Sequence, residues 1–182
     1  MSAAGRPEAT DVVLRPMVEA DVDVVLDIDR QVHMEPWSPG LLAEQLAAVD
    51  RWHHVVADRA GEVVGHAALT VVADEGHVAT VSVHPDEQGA GVGGRLLGAL
   101  CRFAVGRGLD ALTLEVRVPN ERAIGLYRRF GFAPAGIRPG YYEDGPGGRE
   151  DALVMWVHDI GEPAFLGRVG VAERAPGKKA HA

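Results

Sequence analysis

The stretch Val81-Ser-Val-His-Pro-Asp-Glu-Gln-Gly-Ala-Gly-Val-Gly-Gly-Arg-Leu-Leu97 constrains this chain more than any other. It reads as a β-strand, a short polar turn and a glycine-rich loop that enters an amphipathic helix. Gly89, Gly91, Gly93 and Gly94 remove side chains from the loop, so successive backbone N–H groups can close on an anion. A helix starting near Gly91 leaves its first N–H groups unpaired and turns its positive dipole end to the same point. Val92, Leu96, Leu100 and Phe103 recur at helical spacing and tie that helix to a core. A loop of this build cradles a pyrophosphate, although a bare glycine loop before a helix also suits a plain flexible turn.

Two patterns overlap on the loop. Gly89-x-Gly91-x-x-Gly94 matches the dinucleotide fingerprint, with Glu115 at a tolerable distance for a ribose-binding acid. That fingerprint's first glycine should follow its strand almost at once, yet His84 to Gln88 intervene here. Gln88, Gly91 and Gly93 also satisfy Gln-x-x-Gly-x-Gly, the pattern with which GNAT acyltransferases grip the pyrophosphate of acetyl-CoA.

At 182 residues the chain suits one domain with a substantial core. Nearly half of it is apolar (47%), which excludes a disordered chain. No apolar run approaches membrane-spanning length and the start lacks a signal-peptide core, so a soluble, cytoplasmic protein is expected. A net charge of −8 argues against a nucleic-acid binder and mildly favours a basic partner. Cys101 is the single cysteine, which rules out an internal disulfide and a cysteine-cluster metal site. The histidines at 33, 53, 54, 66, 77 and 84 show no ligand spacing, so no metal site is assigned.

The organisation follows from periodicity and punctuation. Residues 1–10 read as a loose tail, 11–160 as one domain, and 161–182 as an extension without clear periodicity, partly disordered. Strands are expected at Val12–Arg15, Trp52–Asp58, Val63–Val72, Val78–Val83, Ala111–Val116, Phe132–Arg138 and Asp151–Val157. Helices are expected at about Val18–Val32, from Pro39 behind a Ser38 cap, at 92–106, and at Asn120–Phe130. Hairpins before crossover helices give one α/β domain with a mixed, mostly antiparallel sheet flanked by helices. A doubly wound dinucleotide fold would instead alternate strand and helix throughout.

On the strand Leu112-Thr-Leu-Glu-Val-Arg117, Glu115 shares a face with Thr113 and Arg117. Two readings stay open for it: an ion pair with Arg117 or another arginine, or a general base at the strand end beside the cradle. Asn120 reads as a helix cap and Tyr127 as a core aromatic. Seven residues apart, they share a helix face, and a tyrosine aimed at the cradle could protonate a departing thiolate. Trp37 in an early loop, and Tyr141 with Tyr142 between loops of glycine and proline, are candidate substrate walls or sheet-edge packing.

With those residues in view, the chain resembles the GNAT superfamily, and within it the RimI-type ribosomal-protein alanine N-acetyltransferases. The likeness covers roughly Val12 to Val157. It is carried by His33-Met-Glu-Pro-Trp-Ser38, the cradle, Leu114-Glu-Val-Arg117 with Asn120, Ala123-Ile-Gly-Leu-Tyr127 and Gly131-Phe132. Arg138-Pro-Gly-Tyr-Tyr142 and Gly148-Arg-Glu-Asp-Ala152 complete it. The resemblance implies acetyl transfer from acetyl-CoA, without a metal, to the N-terminal alanine of the eighteenth small-subunit ribosomal protein. It casts Glu115 as base and Tyr127 as acid. Val81, Ser82 and Val83, the run Gly89, Ala90, Gly91, Val92, Gly93 and Gly94, and Asn120 would then hold acetyl-CoA, while Trp37, Tyr141 and Tyr142 stay candidate substrate walls on their own reading. Relatives often carry arginine where this chain has Gly89 and Gly94, so those phosphate contacts would fall to backbone alone. A GNAT enzyme acting on a small amine, and a non-catalytic acetyl-CoA-binding module, are the rival readings.

Overall fold

Strand periodicity of two decides which side of the sheet each residue serves. Along β2 (Trp52–Arg59), Val55 and Ala57 enter one apolar core while Val56 between them enters another. The computed structural model describes residues 11–175. The remaining strands are β1 (Val13–Pro16), β3 (Glu62–Val72), β4 (Glu75–Val83), β5 (Ala111–Arg117), β6 (Ala133–Glu143) and β7 (Arg149–His158). The helices are α1 (Val22–Val32), α2 (Pro39–Ala47), α3 (Val92–Gly106), α4 (Glu121–Arg129) and α5 (Pro163–Arg174). One seven-stranded sheet runs in the order β1-β2-β3-β4-β5-β7-β6, as expected for a mixed α/β domain.

The larger core lies under α3, whose Leu96, Leu97, Leu100 and Cys101 are fully buried. The smaller one gathers Val25, Leu26 and Leu42 of α1 and α2 against Val56. Ser38 caps α2 as its sequence demands, its Oγ accepting from the Leu41 N–H at 3.2 Å.

One pairing sets up everything that follows. Every neighbouring pair of strands is antiparallel except β4 and β5, which run parallel and touch only at Glu75–Ala111, Gly76–Leu112 and His77–Thr113. Beyond His77 the two strands part. On its other edge β4 carries a bulge, because Leu69 pairs with Val78 and Ala68 with Thr80, leaving Ala79 between them. An extra residue of this kind bends the strand and increases its twist. β5 meanwhile stays paired with β7 along its whole length. The sheet therefore opens into a cleft between residues 78–83 and 114–117.

Two expectations need correction. The stretch after Ile160, expected to lack clear periodicity, contains α5 as far as Arg174, with Phe165, Val169 and Ala172 buried against the main core. The signal is short: one i, i+4, i+7 apolar triplet, blurred by exposed Leu166 and Val171 and by Gly167 and Gly170. α5 packs against α3 where Gly98 leaves room, since a Cβ there would overlap the Glu173 carboxylate. Arg138 to Tyr142 form a bulged part of β6 rather than a loop: pairing jumps from Arg138–Ala152 to Tyr142–Glu150. Gly140, at φ 57°, makes that bulge possible and donates its N–H to Asp151 Oδ1 at 2.8 Å. The expected tails at 1–10 and 175–182 fall, apart from Ala175, outside the described residues.

Replacing Phe165 by Ala is expected to cost about 3–5 kcal/mol, since a buried aromatic leaves a cavity that its neighbours refill only in part. Urea unfolding would read this as a lower midpoint at unchanged slope. An unchanged midpoint would mean that α5 adds nothing to the core.

Candidate active site

A cleft of about 480 Å³ occupies the gap where β4 and β5 part. Its walls include Val78–Val81 of β4, Glu115–Arg117 of β5, Asn120 and Tyr127 at α4, Tyr141 and Tyr142 of β6, and Asp29, His33 and Trp37 from the α1 side. The sequence-derived candidates Val81, Glu115, Asn120, Tyr127, Trp37, Tyr141 and Tyr142 thus meet in one place. A second hollow of similar volume, at the other end of the sheet, is lined by Asp74, Glu75, Asp110, Asp159 and Glu162. So many carboxylates repel an anionic ligand, which leaves the first cleft as the candidate site.

The glycine loop stands next to this cleft without lining it. Gly89 (φ 83°) and Gly91 (φ 89°) occupy left-handed backbone, which an L side chain adopts only at a cost, and Gly91 is the N-cap of α3. No side chain caps that helix, so its first N–H groups are available to a ligand. A Cβ on Gly93 would lie 3.6 Å from Leu126 and 3.7 Å from Val83, filling space between α3, α4 and β4. Gln88 ties the loop down, its Nε2 donating to the Val83 carbonyl at 3.1 Å and its Oε1 accepting from Arg122 at 2.9 Å. This arrangement suits a pyrophosphate: backbone donors, a helix dipole and no competing side chain.

β4 faces two ways. Val81 and Val83 pack toward the α3 core, whereas the Ser82 hydroxyl is buried on the α1 side and bonded there to Asp29. Ser82 therefore has only its backbone to offer the cradle.

Glu115 is 8% exposed at its side chain and has two partners. His77 Nε2 of β4 bonds Oε2, and Arg138 Nε of β6 reaches Oε1 at 3.1 Å, across the intervening β7. His77 first, then Arg138, holds the carboxyl below its ordinary range against the opposing effect of burial. The expected ion pair with an arginine is real, but its partner is Arg138. Arg117 turns away to Glu150 (2.7 Å) and lies over the Tyr142 ring at 4.5 Å.

Tyr127 is buried beside Phe132 at a ring separation of 5.9 Å, and burial pushes its phenol up to about 12. It stays protonated at neutral pH. Asn120 acts as a cap, its Oδ1 accepting from the Ala123 N–H at 3.1 Å. Tyr141 and Tyr142 meet edge to face at 4.9 Å, with Tyr141 44% exposed on the cleft wall. Trp37 has two roles, packing against Trp52 and His54 while lining the cleft.

Sequence reasoning missed Asp29, His33 and His77 as site residues. Asp29 and His33 stand four residues apart at the end of α1, a spacing that marks a helix face but not a site. The partners that draw them and His77 into the cleft region (His66, Ser82 and Glu115) lie 37 or more residues away. Among the described residues no group of three or more His, Cys, Asp or Glu side chains is placed to hold a metal, and no helix is long and apolar enough to cross a membrane.

The sequence model of the acetyltransferase (GNAT) family matches residues 22–132, from α1 to the end of the α4 turn. The chain belongs to that family. A ribosomal protein bS18-alanine N-acetyltransferase from Escherichia coli K12 is 36% identical over 135 residues, 74% of this chain and 89% of its own. The crystal structure of the ribosomal-protein-S18-alanine N-acetyltransferase from Escherichia coli superposes with a TM-score of 0.74 at 32% identity, covering 81% of this chain and 94% of that one. A phosphinothricin acetyltransferase from Sinorhizobium meliloti in complex with acetyl-CoA shares the fold at TM-score 0.73 and 20% identity, over 85% of this chain and 91% of that one. The dinucleotide reading of the glycine loop is thereby overturned: an antiparallel run of strands precedes the loop where a doubly wound fold would need a parallel one.

Proposed function

We propose that this GNAT enzyme transfers the acetyl group of acetyl-CoA to the N-terminal α-amine of a protein, and that its acceptor is the N-terminal alanine of ribosomal protein bS18. The observation that carries this reading is the meeting of Glu115 and Tyr127 in one cleft, opened by the parting of β4 and β5 beside the uncapped start of α3. The names of its relatives support the acceptor.

The parts divide the work. The backbone of Gly89–Gly94 and the α3 N-terminus hold the pyrophosphate of acetyl-CoA. The parted edge of β4, beyond His77, has no ladder partner on that side among the described residues. Its N–H and C=O groups can pair with an extended amide chain as an added strand would, and an N–H at Val81–Val83 can steady the thioester oxygen as it gains charge. The acceptor nitrogen bonds to the acetyl carbon and the carbon–sulfur bond breaks. Glu115 takes the proton that the nitrogen sheds, directly or through a water, and Tyr127 gives one to the departing sulfur. Tyr141 and Trp37 flank the acceptor.

Thiol release from acetyl-CoA, measured with a hexapeptide carrying the ribosomal protein's alanine N-terminus, tests this. Release is expected with the free peptide and none with the same peptide already N-acetylated, with mass spectrometry placing the acetyl group on the α-amine. Release with small amines alone, or with no acceptor despite acetyl-CoA binding, would overturn the reading.

A further inference from the structure

Beneath the cleft lies a polar network that the mechanism above does not use. Asp29 of α1 is 2% exposed, His66 of β3 0% and Ser82 of β4 1%. His66 Nε2 bonds Asp29 Oδ1 at 2.7 Å, and the Ser82 hydroxyl donates to the same oxygen at 2.9 Å. His33 Nε2 lies 2.7 Å from Ser82 Oγ and 3.8 Å from Asp29 Oδ1. Thr80 Oγ1 lies 3.0 Å from Ser82 Oγ.

Proton accounting fixes the direction of these bonds. An ionised carboxylate only accepts, so the single Ser82 proton goes to Asp29. The Ser82 oxygen then has only lone pairs for its other neighbours, so in the 2.7 Å contact the proton comes from His33 Nε2; Thr80 Oγ1 lies 3.0 Å from Ser82 Oγ and 3.3 Å from His33 Nε2. His33 is therefore the Nε2–H tautomer and its Nδ1 carries the free lone pair. Its side chain is 41% exposed and lines the same cleft as Glu115.

We propose that His33 is a second proton acceptor of the active site, taking the proton of the incoming ammonium at Nδ1 while Asp29, through Ser82, balances the positive charge that forms. This rests on the α-amine reading above. The acceptor arrives largely as an ammonium, because an α-amine has a pKa of about 7.7–8.0. Glu115 is poorly matched to that first proton, lying more than three units below it even at an ordinary carboxylate value of about 4.3. An imidazole near about 6.5 is much closer. The steps balance: the ammonium proton goes to His33 and on to solvent, and the second nitrogen proton goes to Glu115 as carbon–nitrogen bonding completes. Tyr127 supplies the thiol proton and regains one. One proton is released per acetyl group moved.

Several groups bear on His33. Burial lowers its pKa first, Asp29 opposes that, and His66 and Arg117 add to the lowering. Glu35, Glu115, Tyr141 and Tyr142 face it around the cleft. The neutral form therefore prevails at pH 7, ready to accept, and the capacity is lost as pH falls through the lowered value.

Purified wild type, H33Q and S82A are compared for kcat/KM on the alanine hexapeptide from pH 5.5 to 9.5. H33Q should follow the free-amine fraction: about tenfold below wild type at pH 7, about a hundredfold at pH 6, and within about twofold at pH 9.5. S82A should lose less, because the imidazole remains but its tautomer is no longer held. A profile for H33Q that runs parallel to wild type overturns the relay while leaving the α-amine reading intact. No turnover by wild type overturns both. Imidazole nitrogen shifts from NMR at pH 8 give a check that needs no turnover: an Nε2–H tautomer at His33 is expected, and Nδ1–H overturns the relay whatever the activity.

Discussion

Glu115→Gln lowers kcat/KM on the alanine peptide by about 10²–10⁴-fold, the usual span for losing a positioned proton acceptor. The amide keeps the size of the carboxylate but accepts no proton. It also leaves Arg138 and His77 without the charge that both now face. Acetyl-CoA affinity should hold within a few-fold, because the cradle stands on α3 and its loop. An unchanged kcat/KM would remove Glu115 from the chemistry. The stability counterpart has a definite sign. Glu115 has a depressed folded-state pKa, so its pairing stabilises the protein above the unfolded carboxylate value and is lost as pH falls through the folded one. The gap in Tm between wild type and E115Q should accordingly narrow below about pH 4.

Tyr127→Phe is the second large effect, expected mainly in kcat. A thiolate from a thiol of pKa about 8.5 leaves more readily than most groups, so the loss should sit at the lower end of the general-acid range, about a hundredfold. KM for acetyl-CoA should move little, since Phe keeps the ring packed against Phe132 and removes only the hydroxyl. Burial, which pushes the phenol up to about 12, adds a pH signature. Wild-type kcat should show no alkaline limb from this residue between pH 8 and 10. Full turnover by Y127F would assign the thiol proton to solvent.

The sequence showed most where the physics is local. A glycine loop that ends in an uncapped helix is legible because φ freedom and unpaired N–H groups belong to consecutive residues. Ser38-Pro39 announces α2 and Asn120 announces α4 for the same reason. α5 was lost because its apolar triplet is interrupted by two glycines, and the docking of Phe165 and Val169 on α3, rather than propensity, holds it. Tyr141 and Tyr142 passed for loop residues because the bulge at Gly140 carries loop-like residues inside a strand.

What this chain settled by itself was the order of its elements as far as β7, the glycine loop and the placing of Glu115 on a strand and Tyr127 on a helix, all matters of residue type and spacing. Tertiary structure decided which groups touch them. His77 meets Glu115 only because β4 and β5 run parallel for three residues before parting, and Arg138 reaches it only because β7 enters the sheet between β5 and β6. His33 and Ser82, 49 residues apart, share a bond because the end of α1 packs against β4. Such contacts depend on strand order and register, which no local pattern in the sequence encodes, because the contacting groups are brought together only when distant segments pack.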